Sequence, residues 1–115
     1  NIWAPREAVA APVMVFIHGG GFVAGSKDAT VHDGSAFAAS GVICVAINYR
    51  MGIDGFLPVP GAPTNLGLRD LLFALAWVQR NIAVFGGDPG VASDTGAGRA
   101  SDCASNGTCV FGRCK

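Results

Sequence analysis

Two runs of consecutive apolar residues dominate the chain. They are "VMVFI", residues 13–17, and "VICVAINY", residues 42–49. Neither alternates with polar residues, and both are rich in β-formers. That pattern predicts strands covered on both faces, as in a parallel sheet. A different period follows. Leu68, Leu71, Leu72, Leu75, Val78 and Ile82 keep helical spacing, with Arg69, Gln79 and Arg80 as a narrow polar edge. This predicts one long helix from Leu66 to about Phe85, ended by "GGDPG" at 86–90. "GSAFAAS", 34–40, predicts a short helix stopped at Gly41. "NIWAP" predicts the end of a strand closed by Pro5. Residues 6–12, 19–33 and 51–65 are expected as loops, the last carrying three prolines and three glycines. Strand, helix, strand, helix predicts an α/β fold, a mostly parallel sheet flanked by helices. Two or three such strands leave the sheet incomplete.

Beyond Gly90 the pattern stops. Val91, Val110 and Phe111 are the only large apolar residues of the last 25, which are otherwise mostly Ala, Ser, Gly, Asp, Thr and Cys. The expected organisation is a domain fragment over 1–90 and a divergent Gly/Ser/Cys-rich tail over 91–115 without regular structure. Composition adds to this. Only 14% of the 115 residues are charged and 50% are hydrophobic, against a usual charged share of about 25%. A domain this small has much surface for its volume and should look more polar. The chain therefore resembles an interior slice of something larger. Exposed apolar surface and open strand edges would make it self-associate.

Charge excludes more than it suggests. Eight basic residues balance eight acidic ones, which argues against nucleic acid or an anionic membrane surface as partner. No apolar run reaches the roughly 18 residues of a membrane span. No leader peptide is visible, and the compartment stays open. Cys44 lies inside the second strand and is expected to be a buried, inert thiol. Cys103, Cys109 and Cys114 follow no zinc-ligand spacing, so no metal is expected. "CASNGTC" is weakly similar to a small disulfide-rich loop. Asn106-Gly107-Thr108 is a glycosylation sequon, meaningful only in a secreted eukaryotic chain.

The chemistry sits at the end of the first strand. "HGGGF", 18–22, places three glycines after a strand-terminal histidine. Glycines let backbone N–H groups face a ligand closely. Such donors suit a developing oxyanion, and one is worth roughly 3–4 kcal/mol in a transition state. A plain Gly-rich turn is the bland alternative. A phosphate loop is a weaker one, because no Lys-Ser/Thr pair follows.

Several stretches taken together carry a resemblance. "NIWAP", "PVMVFIHGGGFVAGS", "DGSAFAASGVICVAINYRMGIDGFL" and "TNLGLRDLLFALAWVQRNIAVFGGDPG" resemble, in order and spacing, the type B carboxylesterases, the carboxylesterase/cholinesterase branch of the α/β-hydrolase fold. The resemblance spans residues 1–90. It implies a partial α/β-hydrolase fold, a small carboxylic ester as substrate and no cofactor. It implies that Gly20 and Gly21 supply two oxyanion-hole N–H groups. His18 and Gly19 would support that loop, and His18 would not be the catalytic base. It also implies a buried structural salt bridge between Arg50 and Asp88.

The resemblance breaks off where the family carries its nucleophile elbow. No G-x-S-x-G occurs in the 115 residues. Ser93 and Ser101 lack the flanking pattern, and Ser26 is explained by loop polarity. His32 is expected as an exposed loop residue. The family's acid, its catalytic His and its third oxyanion donor have no counterpart here. The expected function is thus a serine-esterase fragment, inactive alone. The alternative from another class is a non-catalytic, cholinesterase-like binding or adhesion domain.

Overall fold

The computed structural model describes residues 1–90. The tail over 91–115, with Ser93, Ser101, Cys103, Cys109, Cys114 and the sequon, lies outside the described residues. The described elements are β1 (Ile2–Trp3), β2 (Val13–Ile17), α1 (Ser35–Ala39), β3 (Ile43–Ile47), α2 (Gly52–Phe56) and α3 (Leu66–Asn81). Single 3-10 turns at Thr30–His32 and Ile82–Phe85 precede α1 and follow α3.

The strands form one sheet in the order β1-β3-β2. β2 and β3 are parallel, paired from Val13 with Ile43 to Ile17 with Ile47. β1 pairs with β3 antiparallel, Ile2 opposite Val45 and Trp3 opposite Cys44. The sheet is therefore mixed. The parallel pairing expected from the two apolar runs is present, and the short leading strand runs the other way.

The continuous apolar character of the strands has a direct cause. Val13, Ile43 and Val45 point to one face and pack with Val78 of α3 and with Ile82 just beyond it. Cys44 points to the other face, where α1 covers it. A Cβ on Gly34, at the start of α1, would come within 2.9 Å of the Cys44 sulfur and 2.7 Å of the Trp3 ring. Only glycine allows that approach.

Three expectations change in the structure. The span 51–65 is not all loop, because Gly52–Phe56 forms one helical segment. Its helical form rests on close packing: Cβ atoms on Gly55 and on Gly67 of α3 would both overlap the Arg50 carbonyl oxygen. The long helix ends at Asn81 and tightens into a 3-10 turn, which Gly86 closes with a left-handed φ of 81°. Finally, not all helical-period leucines are core. Val78 and Ile82 are buried, whereas Leu68, Leu72, Phe73 and Trp77 are exposed. Among the described residues nothing covers that side of α3.

After α3 the chain returns to β2. Ala11 N–H donates to Gly86 C=O and Asp88 N–H to Ala11 C=O, both at 2.9 Å. This parallel bridge, Ala11 with Gly87, lies beside the start of β2 on the side away from β3.

Candidate functional site

The candidate site begins where β2 ends, at the carboxyl end of a parallel strand. In open α/β sheets, ligands bind beyond those ends. His18 is 2% exposed. Its ring stacks on Tyr49, just past β3, with centroids 4.9 Å apart. The Tyr49 hydroxyl donates to the His18 carbonyl at 3.3 Å. His18 Nδ1 lies 2.9 Å from the Gly19 carbonyl oxygen. That oxygen can only accept, so Nδ1 is the donor in this contact. Nε2 is buried and without a partner among the described residues. His18 is thus engaged on the loop backbone.

The glycines then reverse the chain. The Gly20 carbonyl accepts from Val23 N–H at 3.1 Å and from Ala24 N–H at 3.2 Å. Gly21 and Phe22, the central residues of this turn, have φ of +62° and +63°. Two positive central φ values are the sign pattern of a type I′ turn. Gly20 itself has φ +126°, and a Cβ there would overlap the Ala24 carbonyl oxygen. A Cβ on Gly21 would meet nothing within 4 Å, so Gly21 is required for its dihedral and not for space. The N–H groups of Gly20, Gly21 and Phe22 have no acceptor among the described residues. Three consecutive donors therefore stand on an exposed turn whose own carbonyl is satisfied.

Arg50 requires a correction. Its guanidinium does not meet Asp88. It makes a two-pronged pair with Asp70 on α3, Nε to Oδ2 and Nη2 to Oδ1, both at 2.7 Å. The Arg50 backbone N–H adds a third bond to Oδ2 at 3.0 Å. The pair is not buried: the side chains keep 49% and 27% of their exposure. Hydrogen bonding from Arg50 holds the Asp70 carboxyl below the usual carboxylate range. Asp88 instead accepts the Gly90 N–H at 2.7 Å, while its backbone pairs with Ala11. The reason is positional. Asp70 sits near the start of α3, where the close approach of Gly67 to Arg50 brings the helix against the end of β3. The available signal is that Asp70 is the one acidic residue of α3, "LGLRDLLFALAWVQRN".

His32 also departs from expectation. It is partly buried, its ring lies 4.7 Å from Phe16, and Nδ1 is 3.0 Å from the Ser26 carbonyl oxygen. No helix among the described residues is long and apolar enough to cross a membrane.

The order of strand, histidine and three glycines matches the HGGG-type motif of lipases and esterases. The chain belongs to the carboxylesterase family, whose sequence model matches residues 1–98. It is similar to a fumonisin B1 esterase of Sphingopyxis macrogoltabida, 48% identical over 99 residues, covering 77% of this chain and 18% of that protein. It is 50% identical over 106 residues to acetylcholinesterase 4 of Caenorhabditis briggsae, covering 88% of this chain and 18% of that protein. With a cholinesterase of Mus musculus it shares 51% over 94 residues, 77% of this chain and 16% of the relative. The chain thus spans less than a fifth of the length of these relatives.

Proposed function

We propose that this chain carries the oxyanion-stabilising part of a serine carboxylic-ester hydrolase, within a partial α/β-hydrolase fold over residues 1–90. In that reaction a serine attacks the ester carbonyl, a histidine moves the proton, and backbone donors take the negative charge on the carbonyl oxygen. Gly20 and Gly21 supply two of those donors. His18 and Gly19 shape the loop, and the Arg50–Asp70 pair ties the end of β3 to α3. The substrate class is a small to medium carboxylic ester. The observation that carries this reading is the run of acceptor-free N–H groups on the left-handed turn at the end of β2. No cofactor enters the chemistry.

The same sequence lacks a G-x-S-x-G elbow, so the 115-residue chain is inactive by itself. A fluorophosphonate probe should leave no serine adduct on it. An adduct, mapped by peptide mass, would overturn that inactivity and identify a nucleophile. The oxyanion role is tested by replacing the matching segment of the fumonisin B1 esterase with residues 1–90 of this chain. Retained ester hydrolysis is expected. Disruption of one donor by Gly20→Ala in the hybrid should lower kcat by about 100–1,000-fold. A hybrid that folds and hydrolyses equally well with Gly20→Ala would refute the role. The missing elbow also favours a second reading, a non-catalytic binding domain of the same family. A folded hybrid that fails to hydrolyse esters would support it.

A further inference from the structure

Phe22 has no local reason to stand where it does. It is the second central residue of the Gly20–Val23 turn, with φ +63°. Glycine, asparagine and aspartate dominate such positions, and a bulky residue there is an outlier. The other described non-glycine residues with positive φ are Ala10 and Asn65. Asparagine tolerates that conformation; phenylalanine does not. Strain of this kind persists only where the surroundings hold it, and it concentrates at functional sites.

The surroundings of Phe22 do hold it. Its carbonyl accepts the Gly52 N–H at 2.6 Å. Its ring meets Phe56 edge-on at 5.3 Å and Tyr49 edge-on at 6.3 Å. Tyr49 in turn stacks on His18 and donates to its carbonyl. One side chain thus joins the glycine turn to the end of β3 and to α2. We propose that Phe22 is a positioning residue: its half-exposed ring, set edge-on against Tyr49 and Phe56, holds the turn so that the N–H groups of Gly20 and Gly21, without acceptors among the described residues, keep one direction before a ligand arrives. This rests on the oxyanion reading for its purpose, but not for its test. Preorganised donors need no reorientation when charge develops.

Ring and backbone make opposite predictions. Phe22→Gly removes the backbone strain and keeps the carbonyl that Gly52 binds. If the turn were held by its backbone alone, this variant would be at least as ordered. If the ring is the clamp, the turn loosens. Phe56→Ala removes the ring's partner and leaves residue 22 intact, and Phe22→Tyr restores a ring. The measurement is ¹⁵N relaxation of the 115-residue chain, read at Gly20 and Gly21, with Val45 and Ala46 of β3 as internal control. Order parameters of about 0.85 at all four residues are expected in the unsubstituted chain. Phe22→Gly and Phe56→Ala should each drop Gly20 and Gly21 below about 0.6, the range of flexible backbone. Val45 and Ala46 should stay unchanged, and Phe22→Tyr should recover the turn. The proposal is overturned by an ordered turn in Phe22→Gly, by a turn already flexible in the unsubstituted chain, or by equal loss of order in β3. An ordered, ring-dependent turn in a segment that supports no hydrolysis in the hybrid esterase would remove the oxyanion reading and leave the clamp standing.

Discussion

The two ends of β2 are built to different rules. At its start, Ala11, Val13 and Met14 are buried, and Val13 packs with Ile43 and Ile82. The side-chain packing of Val13 there is apolar, and the backbone N–H and C=O of Ala11 are both paired, with Gly86 and Asp88. At its far end Ile17 is already exposed, and within five residues the chain carries three positive-φ positions and three N–H groups without acceptors among the described residues. The first end lowers the free energy of the fold. The second spends some of it, because left-handed phenylalanine and unpartnered donors are unfavourable unless something binds them. Core packing and the glycine turn thus lie at opposite ends of one five-residue strand, with His18 just past its end.

The comparison can be broken most forcefully at the buried end. Ile43 and Ile82 are both 0% exposed. Ile43→Ala or Ile82→Ala should cost about 2–5 kcal/mol, against a typical total of about 5–15 kcal/mol. Chemical denaturation should show a large fall in midpoint, or no cooperative transition. A loss within measurement error would mean that the β2–β3–α3 packing is not the core.

At the other end the effect should be local. Gly20→Ala forces a Cβ onto the Ala24 carbonyl oxygen and should displace the turn, with little change in the denaturation midpoint. Gly21→Ala meets open space and bears only the left-handed dihedral, about 1–2 kcal/mol. Amide spectra should therefore change more at residues 19–24 for Gly20→Ala than for Gly21→Ala. The reverse order would contradict the turn geometry.

The uncovered side of α3 offers a third contrast. Leu72 and Phe73 are 67% and 75% exposed, beside Leu68 and Trp77. The chain is expected to associate in size-exclusion chromatography through this face and through the open edge of β2. Phe73→Asp should shift it toward monomer. A monodisperse monomer before substitution would refute the expectation.

The smallest effect belongs to the Arg50–Asp70 pair, since exposed ion pairs contribute little. The Asp70 carboxyl is held below its ordinary range, chiefly by hydrogen bonding from Arg50. Its contribution is therefore present above the unfolded-state pKa and lost as pH falls through the lower folded value. Asp70→Asn should abolish that acid-side dependence and barely move the neutral-pH midpoint. A large loss at neutral pH would mean that the pair is buried after all.

Much of this was legible in the chain. Val13–Ile17 was bounded correctly by its apolar run, and β3 differs from its run only by trimmed ends. The glycine run marked the positive-φ turn, because Gly20 and Gly21 take dihedrals that favour glycine. Other features were not legible. "MGIDGF" carries loop composition, yet folds into α2 because Gly55 and Gly67 allow close packing around Arg50. The helical period could not separate Leu68 and Leu72 from Val78 and Ile82, because period reports a face and not what covers it. The pairing of Arg50 with Asp70 rather than Asp88 is not legible either, because a salt bridge depends on which charges the packing brings together.

Local sequence pattern is enough for the alternation of strands and helices, the two strands meant for burial, and the glycine turn beyond the first of them. Those are matters of local pattern: apolar continuity, helical period and freedom from Cβ. Tertiary structure alone decided that β1 runs antiparallel, that Arg50 pairs with Asp70, and that Phe22 takes a conformation its own chemistry disfavours. Each of these depends on contacts between residues distant in the chain. Such contacts can outweigh a local preference of a few kcal/mol, and no short window of sequence contains them.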